Sequence, residues 1–140
     1  MKVLFDTNIV LDVLLDRKPF SDSAAYLFSS VERTQISGYL CATTVTTIHY
    51  LVRKAMDNQT AVKQMQQLLS LFEIAPVNRV VIEQALQSSF SDFEDAVLYE
   101  SARHAGVTYI VTRNVSDFSK SKLPVFNADE FIYMLNSLEE

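Results

Sequence analysis

Short uninterrupted apolar runs alternate along the chain with longer stretches in which apolar residues recur every three or four positions. The runs are Val3-Leu4-Phe5, Gly38-Tyr39-Leu40-Cys41-Ala42, Ile74-Ala75-Pro76-Val77 and Tyr109-Ile110-Val111. A continuous rather than alternating run suits a strand of a parallel sheet covered on both faces. Pro76 confines the third run to a strand end or an edge.

The longer stretches read as helices. Ile9, Val10, Val13 and Leu14 lie at helical spacing, and Asp16-Arg17-Lys18-Pro19 closes that helix with a proline breaker. A second amphipathic segment covers residues 21–33. Thr43 or Thr44 can cap a third helix that carries Val45, Ile48, Leu51 and Val52 and ends near Met56. Periodicity resumes over residues 60–72, and Asn78 is a good cap for a helix through Val81, Ile82, Ala85 and Leu86. Ser91-Asp92-Phe93-Glu94 matches a capping box, so a helix is predicted from Asp92 to Ala105 with Gly106 past its end. After Leu123-Pro124-Val125-Phe126, Asn127-Ala128-Asp129-Glu130 is a second capping-box start, for a closing helix through Phe131, Met134 and Leu135. Strands alternating with helices predict an α/β fold with a mainly parallel sheet of four or five strands and right-handed crossovers.

Composition narrows this picture. The 140 residues suit a single domain, residues 1–140, with one core and no linker. Hydrophobic residues make up 49% and charged residues 21%, which fits a compact protein and excludes a disordered one. Asp6 and Asp12 interrupt the first apolar stretch, so neither a signal peptide nor a membrane span is expected. Cys41, the single cysteine, reads as a core residue, and the expected location is the cytoplasm. The net charge of −5 argues against holding nucleic acid by long-range attraction, but not against a local basic patch built from Arg17-Lys18, Arg53-Lys54 or Lys120 and Lys122.

Asp6 sits at the carboxyl end of the first strand, the edge at which open α/β sheets bind ligands. The alternative is that Asp6 only caps the next helix. Asp92 and Asp95, three apart at a helix start, share one face near the positive end of the helix dipole. Glu94 has a structural role in the capping-box reading. Thr112-Arg113-Asn114-Val115-Ser116-Asp117-Phe118 leaves the last apolar strand, which brings Thr112, Asn114 and Asp117 to the same edge as Asp6.

Three or four carboxylates cannot share a small space as bare anions, because each raises the pKa of the others. A divalent cation resolves the conflict, and all-oxygen ligands select Mg²⁺ or Mn²⁺ over zinc. His49 and His104 have no zinc-type spacing and read as helix-surface or packing residues. The chain's 2 glycines, Gly38 and Gly106, make no phosphate loop.

Over essentially its full length the chain resembles a PIN-domain nuclease. The residues that carry the resemblance are Val3-Leu4-Phe5-Asp6-Thr7-Asn8, Asp92-Phe93-Glu94-Asp95-Ala96, and Ile110-Val111-Thr112-Arg113-Asn114 with Asp117-Phe118. The resemblance implies a three-layer α/β/α fold and a metal-dependent ribonuclease specific for single-stranded RNA. It also implies the toxin half of a toxin–antitoxin pair, similar to VapC, with an antitoxin partner and a homodimeric state. The apolar stretch from Ala24 to Val31 points to self-association as well. Carried over by position, Asp6, Asp95 and Asp117 are the catalytic, metal-binding acids, Asp92 is a further metal ligand, and Asn8, Thr47, Thr112 and Asn114 support the site. Arg17 and Arg113 are the candidates for holding the RNA backbone.

One departure stands out. Many family members carry a Glu in the helix after the second strand, where this chain reads Thr44-Val45-Thr46-Thr47-Ile48-His49-Tyr50. Thr47 occupies the place, or His49 in another register, and Asp12 is the acid available to compensate. The missing acid sustains a second reading, a catalytically impaired PIN-like module that binds RNA or a partner. A receiver domain or a haloacid-dehalogenase-type phosphatase fits less well: Thr112-Arg113-Asn114 stands where the first needs a lysine, and Asn8 where the second needs an Asp.

Overall fold

A computed structural model describes residues 1–139. Five strands form one sheet: β1 (Lys2–Phe5), β2 (Ser37–Cys41), β3 (Glu73–Ala75), β4 (Tyr109–Val111) and β5 (Val125–Phe126). All pairings are parallel and the spatial order is β3-β2-β1-β4-β5. Leu4 is level with Tyr39 on one side and Ile110 on the other, so β1 is central. The order reverses beside β1, which puts the expected ligand crevice between the carboxyl ends of β1 and β4.

Seven helices cover the sheet: α1 (Thr7–Leu14), α2 (Ser21–Glu32), α3 (Ala42–Ala55), α4 (Asn58–Leu71), α5 (Arg79–Gln87), α6 (Phe93–His104) and α7 (Ala128–Leu138). Strand alternation divides them into two layers. Val3 and Phe5 point into a core with Ile9, Leu27, Ile48, Val52, Met65 and Phe131. Leu4 and Ile110 point the other way, against Val81, Ala85, Val97 and Ala102 of α5 and α6. This is the three-layer α/β/α arrangement. Phe5, Phe28 and Phe72 meet edge to face with centroids 5.1–5.9 Å apart. Gly38 passes under that cluster: a Cβ there would lie 2.6 Å from two ring carbons of Phe72. Gly106, at φ +77°, follows the end of α6 in the left-handed conformation glycine favours.

Several local expectations need correction. Helix α3 starts at Ala42 with no side-chain cap, because the buried Thr44 hydroxyl instead meets the Thr7 hydroxyl at 3.0 Å. Helix α4 begins at Asn58, earlier than its apolar pattern, because Asp57 accepts the Thr60 N–H at 2.7 Å. Helix α6 begins at Phe93 and not at Asp92, since the cap is Asp92 and not Ser91. The apolar face of α2, which pointed to self-association, is covered within the chain: Ala24, Leu27 and Val31 are buried, and Tyr26 is the large apolar residue of that helix left exposed. No described helix is long and apolar enough to cross a membrane.

Candidate active site

Asp6 is both cap and site residue. Its Oδ1 accepts the Thr7 N–H at 2.7 Å, as an N-cap does, while Oδ2 accepts the Thr112 hydroxyl at 2.8 Å. Thr112 is fully buried at the end of β4, so the carboxylate is fastened across the crevice between the two strands. Asn8 completes the bracket: its Nδ2 lies 3.5 Å from both Asp6 Oδ2 and Thr112 Oγ1, and its Oδ1 accepts the Arg113 N–H at 3.2 Å. The Thr112 hydroxyl also accepts the Asn114 N–H at 3.1 Å. Burial pushes the Asp6 carboxyl above its usual range, opposed by the bonds from Thr112 and Thr7 and reinforced by the charges of Glu94 and Asp117.

Asp92, Glu94 and Asp95 arrive on the first turn of α6. Asp92 Oδ1 accepts the Asp95 N–H at 3.0 Å, which starts the helix and frees Glu94 from the capping role its spacing suggests. Asp95 is half-buried, and its carboxyl is pushed up to about 7, first by desolvation and then by the charges of Asp6, Asp92, Asp117 and Glu94. Asp117 is exposed on a short 3-10 helix (Val115–Phe118) whose Phe118 is buried against Phe90. That anchor holds the acid at the sheet edge.

Five acids therefore influence one another at the carboxyl edge of the sheet. Among the described residues, however, no three His, Cys, Asp or Glu side chains are close enough together to chelate one ion directly. The donor set fits a hard divalent cation that keeps part of its water shell, as Mg²⁺ does, and it supplies no nitrogen or sulfur that would favour zinc. Burial first and the neighbouring acids second push up the carboxyls of Asp6 and Asp95, and a cation held there would offset the repulsion between the acids.

The remaining candidates lie elsewhere. Arg17 and Arg113 do not stand free in the cleft: both converge on Asp12, which is completely buried. Arg17 Nε donates to Asp12 Oδ1 at 2.9 Å, and its guanidinium also reaches the Asn8 carbonyl at 3.1 Å. Arg113 Nε sits 3.1 Å from Asp12 Oδ2 without hydrogen-bond alignment, an ionic contact, and its guanidinium stacks on Phe20 at 4.3 Å. Asp12 is thus neutralised by two cations and does not stand in for a missing site acid. A cavity of about 290 Å³ beside this clasp takes in Phe20, Arg113 and Asn114 but none of the five acids.

On α3, Thr47 turns its hydroxyl to the Thr43 carbonyl at 3.1 Å. Thr47, and not His49, lines a cavity shared with Glu94. His104 bonds Gln84 at 2.7 Å on the far end of α6, and Cys41 is buried in the core. Glu94 is the residue that sequence reasoning set aside. The competing D-x-x-D spacing of Asp92 and Asp95 was the signal that Ser91 need not be the cap.

With this geometry in view, the likenesses to known proteins are informative. A family model described as PIN domain matches residues 2–116. The chain is 22% identical over 142 residues to ribonuclease VapC1 of Aquifex aeolicus (strain VF5), covering 98% of this chain and 97% of that protein. It superposes on FitAB bound to an IR36 DNA fragment with a TM-score of 0.70 at 23% identity, covering 90% of this chain and 94% of that one. For VapBC2 from Rickettsia felis bound to a promoter DNA fragment the TM-score is 0.64 at 15% identity, covering 91% and 98%. The structural likenesses speak for the fold, and the family match spans most of the sequence: the chain belongs to the PIN-domain family.

Proposed function

We propose that the protein is a Mg²⁺- or Mn²⁺-dependent ribonuclease acting on single-stranded RNA, and the toxin of a toxin–antitoxin pair. The observation that carries this reading is the convergence of Asp6, Asp92, Asp95 and Asp117 on one sheet edge, where the charges of the other three add to the upward push that desolvation gives Asp95. The relatives support the biological setting: one is named a ribonuclease, and another is described as a toxin–antitoxin complex from Klebsiella pneumoniae.

Asp6, Asp92, Asp95 and Asp117 are the residues that would hold the cation. When bound, it polarises the scissile phosphate and lowers the pKa of an attacking water. The chain's own contribution is positional. Thr7 and Thr112 fix both oxygens of Asp6, so that carboxylate meets its ligand without rotating. Asn8 ties the end of β1 to the loop after β4, and Phe118 seats the helix bearing Asp117.

The test is cleavage of an unstructured RNA as Mn²⁺ is titrated, for wild type and Asp95→Asn. Wild type should cut only with metal, and the folded variant should not cut. Cleavage undiminished by EDTA, or retained by Asp95→Asn, would refute the reading. The second reading, an impaired module that binds without cutting, draws on the absence of an acid at Thr47. It predicts RNA or partner binding with no cleavage at any Mn²⁺ concentration. Self-association and a small antitoxin partner belong to the first reading, and only monomer in light scattering at micromolar concentration would overturn the dimer.

A further inference from the structure

We propose that the cavity beside the Asp12 clasp receives one base of the bound RNA, next to the phosphate at the acid cluster, and that Phe20, Asn114 and Asp129 recognise it. The inference rests on the ribonuclease reading above and adds to it a site for the base of a neighbouring nucleotide.

The cavity, about 290 Å³, lies at the same carboxyl edge of the sheet as the acids, since Asn114 follows β4 and Asp129 follows β5. Two of its lining residues bond directly to the segments that carry the acids. The Asn114 carbonyl accepts the Asp117 N–H at 3.0 Å, and the Asn114 N–H donates to the Thr112 hydroxyl that holds Asp6. Ile9, on another wall, donates its N–H to the Asp6 carbonyl at 3.1 Å. A strand with a phosphate at the acids therefore brings an adjoining base to the mouth of the cavity. Phe20 is 42% exposed, although the Arg113 guanidinium lies 4.3 Å from its ring centre. An exposed ring backed by a guanidinium is a flat π surface, and unstacked bases of single-stranded RNA are held on such surfaces. Arg113 spends its charge on Asp12, so here it acts as a plane and not as a phosphate clamp. The polar lining has bonding capacity to spare. Among the described residues the Asn114 side-chain amide has no partner, and Asp129 takes the Ser23 hydroxyl on Oδ1 and leaves Oδ2 open. A carboxylate only accepts, so it favours a base edge bearing an amino group, as in adenine, cytosine or guanine, over the carbonyl-flanked edge of uracil. A base paired in a duplex presents neither its face nor that edge, which agrees with a preference for single strands.

The chain holds no tryptophan, so Phe20→Trp places a single fluorescent reporter at the cavity while keeping a ring for Arg113 to stack on. Its emission is followed in EDTA, where the ribonuclease reading expects no cutting, as short oligo(A) or oligo(U) is added. Oligo(A) should quench saturably, with a midpoint about tenfold or more below that of oligo(U), the scale of one discriminating base contact. Adding Asp129→Asn, which keeps an acceptor for Ser23, should bring the two midpoints together. Phe20→Leu should bind labelled oligo(A) about fivefold or more weaker than wild type in fluorescence anisotropy, the scale of losing one stacked base. No saturable quench, while wild type cuts RNA with Mn²⁺, would overturn this inference and leave the ribonuclease reading standing. Equal midpoints for the two oligomers before Asp129 is changed would overturn the role given to Asp129. Saturable quench in Phe20→Trp, with wild type cutting nothing at any Mn²⁺ concentration, would support the base site and overturn the ribonuclease reading instead. Melting curves of the variants guard against misfolding, and Phe20 and Asp129 are both exposed.

Discussion

Replacing Asp95 by Asn takes one negative charge out of the acid cluster with almost no change in volume. In the folded protein that carboxyl is pushed from 3.8 to about 7, while in the unfolded chain it titrates normally. At about 1.36 kcal/mol per unit, the difference sets a ceiling of roughly 4 kcal/mol on the destabilisation by the ionised group. Asp95 is only half-buried, and exposed charge pairs are typically worth about 1 kcal/mol or less, so screening by water reduces the effect to roughly 1–2 kcal/mol. The sign follows from linkage. Because the folded pKa is raised, the folded state binds the extra proton; stability is lost as pH rises through about 7 and is fully regained only below about 3.8. About half of that window lies between pH 8 and pH 5.5, so metal-free wild type should melt higher at the lower pH by roughly 2–4 °C for a domain of this size. Asp95→Asn, in EDTA, should melt above wild type at the higher pH and show less of the rise on acidification. The assay is circular dichroism melting across that pH range. A variant that keeps the full wild-type pH slope, or melts below wild type near pH 8, would refute the electrostatic account of the cluster.

Asp6→Asn should keep the helix cap, since Asn is as good a cap as Asp. In thermal melts with Mn²⁺ at a hundredfold excess over its dissociation constant it should lose most of the stabilisation of about 2.7 kcal/mol expected for wild type. Asp12→Ala should be among the most damaging single changes, near the lower end of the roughly 3–5 kcal/mol seen when a buried pair loses one partner, because both guanidiniums keep partial access to water. Urea unfolding measures it. Gly38→Ala should cost about 1–3 kcal/mol in the same assay, since its Cβ must displace the Phe72 ring.

The sheet is largely readable in the sequence because its central strands are buried on both faces, which leaves continuous apolar runs at Val3-Leu4-Phe5 and Tyr109-Ile110-Val111. Asn78 and Asn127 are readable as caps because no rival acceptor stands next to them, and both make the expected bonds. Ser91 and Asp92 compete for one helix start, and a one-residue shift decides whether Glu94 is tied to the backbone or free. Spacing alone does not choose between two good caps. Asp6, Asp95 and Asp117 are marked by position at strand and helix ends. The convergence of Arg17 and Arg113 on Asp12 is not, since it depends on the tertiary approach of the α1 end to the loop after β4. In the one-dimensional pattern Asp12 is an acid on a helix, and only packing shows that it has no access to water.

That clasp has a thermodynamic consequence for ligand capture. The segment after β4 brings Thr112, Asn114 and Asp117 to the crevice, and it is anchored by Arg113 to Asp12 and by its own N–H to Asn8. Its order does not depend on the ion it would help to bind. A loop ordered only on binding charges its lost conformational freedom against affinity, whereas one held in advance does not. Loosening the clasp should weaken cation binding through entropy even though neither arginine touches the cation, and the affinity lost should be recovered by any crosslink that fixes the loop again.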